Sequence, residues 1–226
     1  MNKMIKRIKS KIKNKRLIIF GETHGTKEIP EMLTDFFLKM AEKEEFNIGL
    51  EIPDEFQEKF DFYMNSGDYE LLSNIAFFSK EYCTDGRNSL EYLNLIKKIY
   101  NFKSKYHKNI KIYCISPSLT RNQEEYEHLL AENILKIADK KTFAVIGNVH
   151  SSKKEIYFPE QKIITAGSMI YKKMGNFAYF VLLDILDGEI FNGGLKKIVR
   201  YKEDQFEQNF DYIFKIEKVS PCSFLK

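Results

Sequence analysis

Four residues whose side chains can move protons or bind metals lie close behind hydrophobic runs of the sequence: Glu22, His24, Glu51 and His150. Each follows such a run within four positions, and two of the four histidines of the chain are among them. Imidazole and carboxylate groups are the usual general acids and bases of enzymes, and they are also common ligands of divalent metals. If the runs are neighbouring strands of one sheet, the sequence predicts a polar site at the ends of those strands.

The spacing around Glu22 and His24 suits such a site. Residues two positions apart in an extended segment point to the same side. The flanking Gly21 and Gly25 permit tight turns and a close approach of the backbone to a ligand. Glu51 stands at the end of an apolar run, where a carboxylate is costly to bury alone. We therefore expect a metal, a histidine or an arginine beside Glu51.

Two chemistries are open for these four residues. Together they offer enough nitrogen and oxygen ligands to hold a divalent metal, zinc or manganese, with open positions for water. Without a metal, His24 acts as general base, a carboxylate fixes its tautomer, and His150 serves as the acid. Arg87 lies in a polar loop and Arg121 precedes a predicted helix. Either arginine can hold an anion or stabilise an oxyanion, with a surface ion pair as the alternative for each.

The elements that must position these residues alternate along the chain. Hydrophobic runs predict strands over residues 16–20, 47–52, 110–115, 142–146, 178–185 and 212–216. Helical spacing predicts helices over residues 27–45, 54–64, 89–102 and 122–139, with a further helical stretch at 68–79. Thr26 and Ser89 are the predicted N-caps. This order favours an α/β fold with a largely parallel central sheet, helices on both faces, and the site at the carboxyl edge of the strands.

The N-terminal segment has a charge of its own within what we expect to be a single α/β domain over residues 1–226. Eight of the 36 basic residues lie within the first 16 positions, which contain no acid, so the remaining 28 are outnumbered by 32 acidic residues. Ile5, Ile8 and Ile12 recur at helical spacing, which predicts a basic amphipathic helix over residues 1–15. We expect it to pack on the body as a lead-in helix. A weak membrane-surface contact is the alternative, and nucleic-acid binding has no motif to support it.

Other features bound the class of protein. No apolar run is long enough to span a membrane or to act as a signal peptide, which favours a cytoplasmic protein. Cys83, Cys114 and Cys222 lie far apart without metal-binding spacing, so we expect reduced, structural thiols. His107 and His128 lie in polar helical stretches and are expected in solvent. The sequence leaves the oligomeric state undefined.

Four motifs occur in the order found in a known superfamily. They are Gly-Glu-Thr-His-Gly at 21–25, Leu-Glu-Ile-Pro at 50–53, Asp-Gly-Arg-Asn-Ser at 85–89 and Gly-Asn-Val-His-Ser at 147–151. Over about residues 12–200 the chain resembles the superfamily of the erythromycin esterase-like proteins, the ChaN haem-binding proteins and the Tiki metalloproteases. The resemblance implies an α/β fold with the site at one end of the sheet. It also implies that the four residues named first are the functional positions.

The activities within that superfamily differ, so the resemblance supports the site more than it supports one reaction. Its esterases and proteases imply a hydrolase acting on an ester or amide of a small molecule or peptide, with or without a divalent metal. Its ChaN branch implies, as the alternative, a haem- or metal-binding protein without turnover. Haem needs an apolar face, for which the candidates are Tyr63, Phe77, Phe78 and Tyr82, unless these residues belong to the core.

Overall fold

A computed structural model of the protein describes residues 2–79, 82, 85–157, 162–198 and 207–225. Its strands are β1 (Leu17–Glu22), β2 (Asn47–Pro53), β3 (Lys111–Ser116), β4 (Thr142–Gly147), β5 (Ile156–Tyr157), β6 (Lys162–Ile163), β7 (Ala178–Ile185), β8 (Glu189–Phe191), β9 (Leu195–Lys197) and β10 (Tyr212–Ile216). Six of them form the central sheet in the order β10-β7-β1-β4-β2-β3, and every neighbouring pair is parallel. The pairs β5–β6 and β8–β9 are separate antiparallel hairpins. The predicted α/β fold with a parallel central sheet is confirmed.

Helices cover both faces of this sheet. They are α1 (Asn2–Ile12), α2 (Glu28–Ala41), α3 (Gln57–Ser66), α4 (Tyr69–Ser73), α5 (Leu90–Tyr106), α6 (Gln123–Ile137) and α7 (Ala166–Met174). Alternate residues of a strand point to opposite faces, and β1 serves both. Ile18 and Phe20 belong to the core formed with α1 to α5, whereas Leu17 and Ile19 belong to the core formed with α6 and α7. The strands are therefore apolar throughout, as sheets buried on two faces require.

Several predicted boundaries were wrong in informative ways. β1 continues past Phe20 through Gly21 to Glu22, because both residues still pair with neighbouring strands. Thr26 does not cap α2; its backbone forms a bridge with Pro221, and the helix begins at Glu28 without a side-chain cap. Helix α2 ends at Ala41 instead of residue 45, since residues 42–45 supply no apolar side chain. Helix α7 escaped prediction altogether.

Other local predictions are confirmed. The Ser89 hydroxyl accepts a hydrogen bond from the backbone N–H of Tyr92 and caps α5. That helix runs on past residue 102 to Tyr106 and ends at His107, whose left-handed conformation (φ 51°) stops it. The helical stretch at 54–64 is a short 3-10 turn followed by α3, and the stretch at 68–79 holds α4 and a second 3-10 turn.

The N-terminal helix α1 packs on the body. Ile8 and Ile12 are completely buried, and the Lys141 ammonium donates to the carbonyl oxygen of Ile12 at 2.6 Å. The Ile5 side chain lies outside what the structure describes. None of the helices described for this chain combines the length and the apolar character needed to cross a bilayer.

Substituting Ile12→Ala is expected to lower the free energy of unfolding by roughly 2–5 kcal/mol, the usual cost of truncating a fully buried isoleucine. Urea denaturation followed by circular dichroism measures this change. The matched control is Lys13→Ala on the exposed side of the same segment, which should change stability by less than about 0.5 kcal/mol. An Ile12→Ala protein as stable as the wild type would mean that the helix does not pack on the body.

Candidate active site

The parallel sheet brings the four predicted residues to its carboxyl edge. Strand β4 lies between β1 and β2, with Gly147 in register with Glu22, and Val145 in register with Leu50. Glu51 follows Leu50 directly, and the turn after β4 carries His150. The sequence separates these residues by up to 128 positions, yet the order of strands makes them neighbours.

The buried carboxylate of Glu22 pairs with His24, whose side chain is 16% exposed. The Nδ1 atom of His24 lies 2.9 Å from Oε1 of Glu22, and the same oxygen accepts a short hydrogen bond from the hydroxyl of Tyr92 on α5. Burial, together with the charge of Glu22, holds the pKa of Tyr92 well above its ordinary value, so its hydroxyl remains a donor. Two donors on one carboxylate oxygen fix the imidazole with Nδ1 protonated, which leaves Nε2 as the available base.

Glu51 occupies the centre of the site. Its Oε2 accepts the backbone N–H of Gly147 at 2.6 Å, and its Oε1 accepts the hydroxyl of Tyr126 at 2.9 Å and Nη1 of Arg87 at 3.0 Å. Nε2 of His24 stands 3.6 Å from Oε2. Burial alone raises the pKa of this carboxyl, but the charges of His24 and Arg87 and the Gly147 N–H more than offset that effect and lower it. The predicted histidine and arginine partners of Glu51 are both present.

The two imidazoles share the same electrostatic character. Burial disfavours the charged form of His24, but the hydrogen bond with Glu22 and the charge of Glu51 outweigh it and raise its pKa. The His150 pKa is raised for a similar reason, since a hydrogen bond with Glu127 and the charge of Glu51 exceed the opposing effect of burial. Both rings therefore take up a proton more readily than an isolated histidine does.

A cleft of about 390 Å³ opens in front of these groups. Its described walls are His24, Glu51, Pro53, Glu55, Tyr82, Asp85, Arg87, Ser116, Pro117, Ser118, Thr120, Gln123, Tyr126 and His150. Glycine at position 147 leaves room for the two imidazoles, because a Cβ atom there would lie 3.1 Å from Cδ2 of His150 and 3.2 Å from Nε2 of His24. The volume falls within the range of small-molecule sites.

The two candidate arginines have different surroundings. Arg87 lines the cleft, where it bonds Glu51 through Nη1 and Asp85 through Nε at 2.8 Å. Arg121 is 86% exposed and forms an ion pair with Glu125 one helical turn away. Arg87 therefore belongs to the site, whereas Arg121 forms the surface ion pair that was the alternative for each arginine.

The fit of a metal depends on which donors face the cleft. Glu22 approaches Nδ1 of His24 and is absent from the cleft walls, so it does not share a point with Glu51 and His150. Over the described part of the chain, no group of three or more His, Cys, Asp or Glu side chains is arranged to hold a metal ion. Glu51 already receives three donors, one of them the cationic Arg87. The four predicted ligands do not fit as one coordination sphere.

The aromatic residues considered for haem lie mostly elsewhere. Tyr63, Phe77 and Phe78 are at most 1% exposed and belong to the hydrophobic core. Tyr82 lines the cleft and donates to Glu55. The described walls of the cleft consist mainly of polar side chains.

Three site residues escaped sequence reasoning: Tyr92, Tyr126 and Glu127. Each lies on a helix that packs against the sheet, and all three contact one of the predicted residues. A signal existed for Glu127, because it precedes Leu130, Ala131 and Ile134 at helical spacing and so falls on the buried stripe of α6. A buried acid within an apolar stripe requires a partner.

The remaining predictions concern residues outside the site. His107 and His128 are exposed, as predicted. Cys114 is a buried free thiol, and burial raises its pKa well above its ordinary value, which agrees with a structural role. Cys222 is buried as well. Cys83 lies outside the described residues.

Comparison with solved structures identifies the fold. A Bacillus cereus protein superposes with a TM-score of 0.73 at 13% identity, over 98% of this chain and 93% of that one. An erythromycin esterase, EreC, gives 0.63 at 10% identity over 90% and 81% of the two chains. ChaN of Campylobacter jejuni with cofacial haem gives 0.59 at 12% identity over 92% and 90%. No family model matches the sequence, and neither does any curated protein.

These structures confirm the resemblance predicted from the motifs at the level of the fold. One of the neighbours is an esterase and another binds haem, so the same architecture serves different functions. The chemistry of this chain must therefore be argued from its own site.

Proposed function

We propose that this protein is a hydrolase of an ester or amide bond in a small molecule or peptide, with His24 as general base. The observation that carries the proposal is the pairing of His24 Nδ1 with the buried Glu22 carboxylate, which directs Nε2 into the cleft. A neutral imidazole oriented by a carboxylate is the arrangement that activates water in many hydrolases.

The neighbouring groups supply the other parts of the reaction. A water in the cleft beside Nε2 of His24 can donate a hydrogen bond to that atom, which stands 3.6 Å from Oε2 of Glu51. His24 takes its proton as the oxygen attacks the carbonyl carbon. Arg87, on the cleft wall, stabilises the negative charge that develops on the carbonyl oxygen. His150 donates a proton to the leaving alcohol or amine as its bond to carbon breaks, which yields the acid product and a neutral leaving group.

A metal-dependent form of the same hydrolysis has less support from the site. Zinc or manganese, which would polarise water or the carbonyl group, would need His24, His150 and Glu51 as ligands. The described residues contain no group of three such side chains arranged to hold a metal ion. The guanidinium of Arg87 lies 3.0 Å from Glu51 and opposes a second cation at that carboxylate. Binding of haem without turnover is supported by the shared fold of ChaN alone, since the described cleft walls are polar.

The purified protein is expected to hydrolyse activated esters, such as p-nitrophenyl acetate and butyrate, and to keep this activity after dialysis against a chelator. The metal-free reaction needs only side chains of the chain itself. Absorbance at 400 nm measures turnover, and elemental analysis by inductively coupled plasma mass spectrometry measures metal content in the same samples.

Each other outcome selects a different function. Activity that disappears with the chelator and returns with zinc or manganese would replace the metal-free mechanism by the metal-dependent one. No turnover of esters or anilides above buffer, together with a Soret band on added haem, would replace the hydrolase by a haem-binding protein.

A further inference from the structure

The site contains a second histidine–carboxylate pair, and both imidazoles border the same glycine, Gly147. Nδ1 of His150 is 2.7 Å from Oε1 of Glu127, much as Nδ1 of His24 is 2.9 Å from Oε1 of Glu22. Glu127 is completely buried on α6 and does not line the cleft, whereas His150 does. Glu127 therefore does not contact a substrate in the cleft, and it can act on one only through its contact with His150.

Glu127 accepts two hydrogen bonds besides its contact with His150. Oε1 accepts the side-chain amide of Gln123 at 2.8 Å, and Oε2 accepts the backbone N–H of Ala166 at 2.8 Å. Ala166 is the first residue of α7, so the carboxylate lies at the positive end of a nine-residue helix. An ionised carboxylate can only accept hydrogen bonds. We therefore infer that Glu127 also accepts a hydrogen bond from His150, so that Nδ1 of this ring carries the proton.

The backbone of the His150 turn is fixed to the same helix end. The N–H of Gly167 donates to the carbonyl oxygen of His150 at 2.8 Å. Gly167 cannot carry a side chain there, since a Cβ atom would lie 2.6 Å from the carbonyl carbon of Ser151. The helix end thus holds both the main chain of His150 and, through Glu127, its imidazole.

We propose that Glu127 is a positioning residue that fixes His150 with Nδ1 protonated and Nε2 presented to the cleft. The two histidines are then held in the same tautomer by separate buried acids, one on β1 and one on α6. In the reaction proposed above, on which the catalytic consequence rests, this keeps Nε2 of His150 in place to carry the proton for the leaving group. The bond to Glu127 also favours the charged ring that must donate it.

The test is nuclear magnetic resonance of the histidine ring nitrogens in the intact protein, with His150 assigned by the signal missing from His150→Gln. The wild type is expected to show His150 as the Nδ1–H tautomer when neutral, with a pKa above the ordinary 6.5. In Glu127→Gln that pKa should fall and the tautomer preference should be lost. Glu127→Asp, which retains the charge, should restore part of both.

Activity provides a second readout. Glu127→Gln is expected to lower kcat roughly 10- to 100-fold, as removal of an orienting carboxylate behind a functional histidine commonly does. The matched control is Glu132→Gln on the same helix, where Glu132 pairs with the exposed His128 at 3.3 Å outside the cleft. That variant should leave both kcat and the His150 resonances unchanged.

The outcomes separate this inference from the proposed function. A wild-type His150 with its neutral proton on Nε2, or a pKa that Glu127→Gln does not move, overturns the role of Glu127 whether or not the protein is active. A normal His150 response in a protein without any hydrolytic activity supports the positioning by Glu127 and overturns the hydrolase instead.

Discussion

Replacing His24 by glutamine is expected to lower kcat for ester hydrolysis roughly 10²- to 10⁴-fold, the usual contribution of a general base. Glutamine keeps a polar group of similar length near Glu22 but cannot accept a proton from water. The fold should survive, because His24 is partly exposed and contributes nothing to either hydrophobic core. Stopped-flow or steady-state assays, with circular dichroism on the same samples, measure both effects.

The pH dependence of kcat/KM tests the proposed role of His24 as the base. A base acts only when deprotonated, and the pKa of His24 is raised above its ordinary 6.5, so kcat/KM of the wild type should fall as the pH drops through a value above 6.5. This acid limb should vanish in His24→Gln. The matched control is His128→Gln, a 63% exposed histidine on α6. If His24→Gln keeps the wild-type rate and profile, the general base is another group.

The sequence predicts the sheet well because its strands carry a strong signal. Strands buried on both faces are short, continuous apolar runs, and the runs at 47–52 and 178–185 match β2 and β7 closely. The parallel arrangement follows from the alternation with helices. Helix α7 contains only nine residues and holds Gly167, a poor helix former, in its first turn, so its pattern is too short to predict a helix.

The polar residues of the site were predictable where they follow strands. Glu22 ends β1, Glu51 lies within the last residues of β2, and His150 lies in the turn after β4. The edge of a parallel sheet gathers such residues, whatever their separation in sequence. The predicted site requires only that β1, β2 and β4 be neighbours in the sheet. In the structure, β4 lies between β1 and β2.

The helical residues that hold these side chains in place were not predictable in the same way. Tyr92, Tyr126 and Glu127 lie on α5 and α6, and their roles depend on how each helix is rotated and shifted along the sheet. Tyrosine on a buried helix face is more often core than site. The face of the sheet on which each glutamate lies determines which tyrosine it contacts. Glu22 lies on the face covered by α5 and bonds Tyr92, whereas Glu51 lies on the opposite face and bonds Tyr126 of α6.

Replacing Glu51 by glutamine is the second change with a large expected effect, because it affects both the stability and the pH profile of the protein. The two carboxylate oxygens of Glu51 accept hydrogen bonds from the Gly147 N–H on one side and from Tyr126 and Arg87 on the other. Glutamine has only one acceptor oxygen, so its NH₂ group must face the donors on one of these sides. We expect the free energy of unfolding at pH 7 to fall by about 1–3 kcal/mol, the cost of unsatisfied buried donors. Urea denaturation measures it.

The sign of the pH effect follows from the direction of the Glu51 shift. The folded pKa of Glu51 lies below its ordinary 4.5, so this carboxyl contributes stability above that pH and loses the contribution as the pH falls through the folded value. The deficit of Glu51→Gln should thus be largest near neutral pH and shrink below 4.5. A deficit that grows in acid would contradict the lowered pKa.

Glu51→Gln should also shift the acid limb of the pH profile of kcat/KM. The same residue therefore affects both the stability of the site and its chemistry. The charge of Glu51 raises the pKa of His24, so its removal should lower that pKa and shift the limb of kcat/KM to lower pH, while the maximum rate falls. Glu55→Gln is the matched control, since Glu55 lines the same cleft and bonds Tyr82. A limb that shifts equally in both variants would arise from the general charge of the cleft. A limb that shifts only in Glu51→Gln assigns the shift to the charge of Glu51, which lies 3.6 Å from Nε2 of His24.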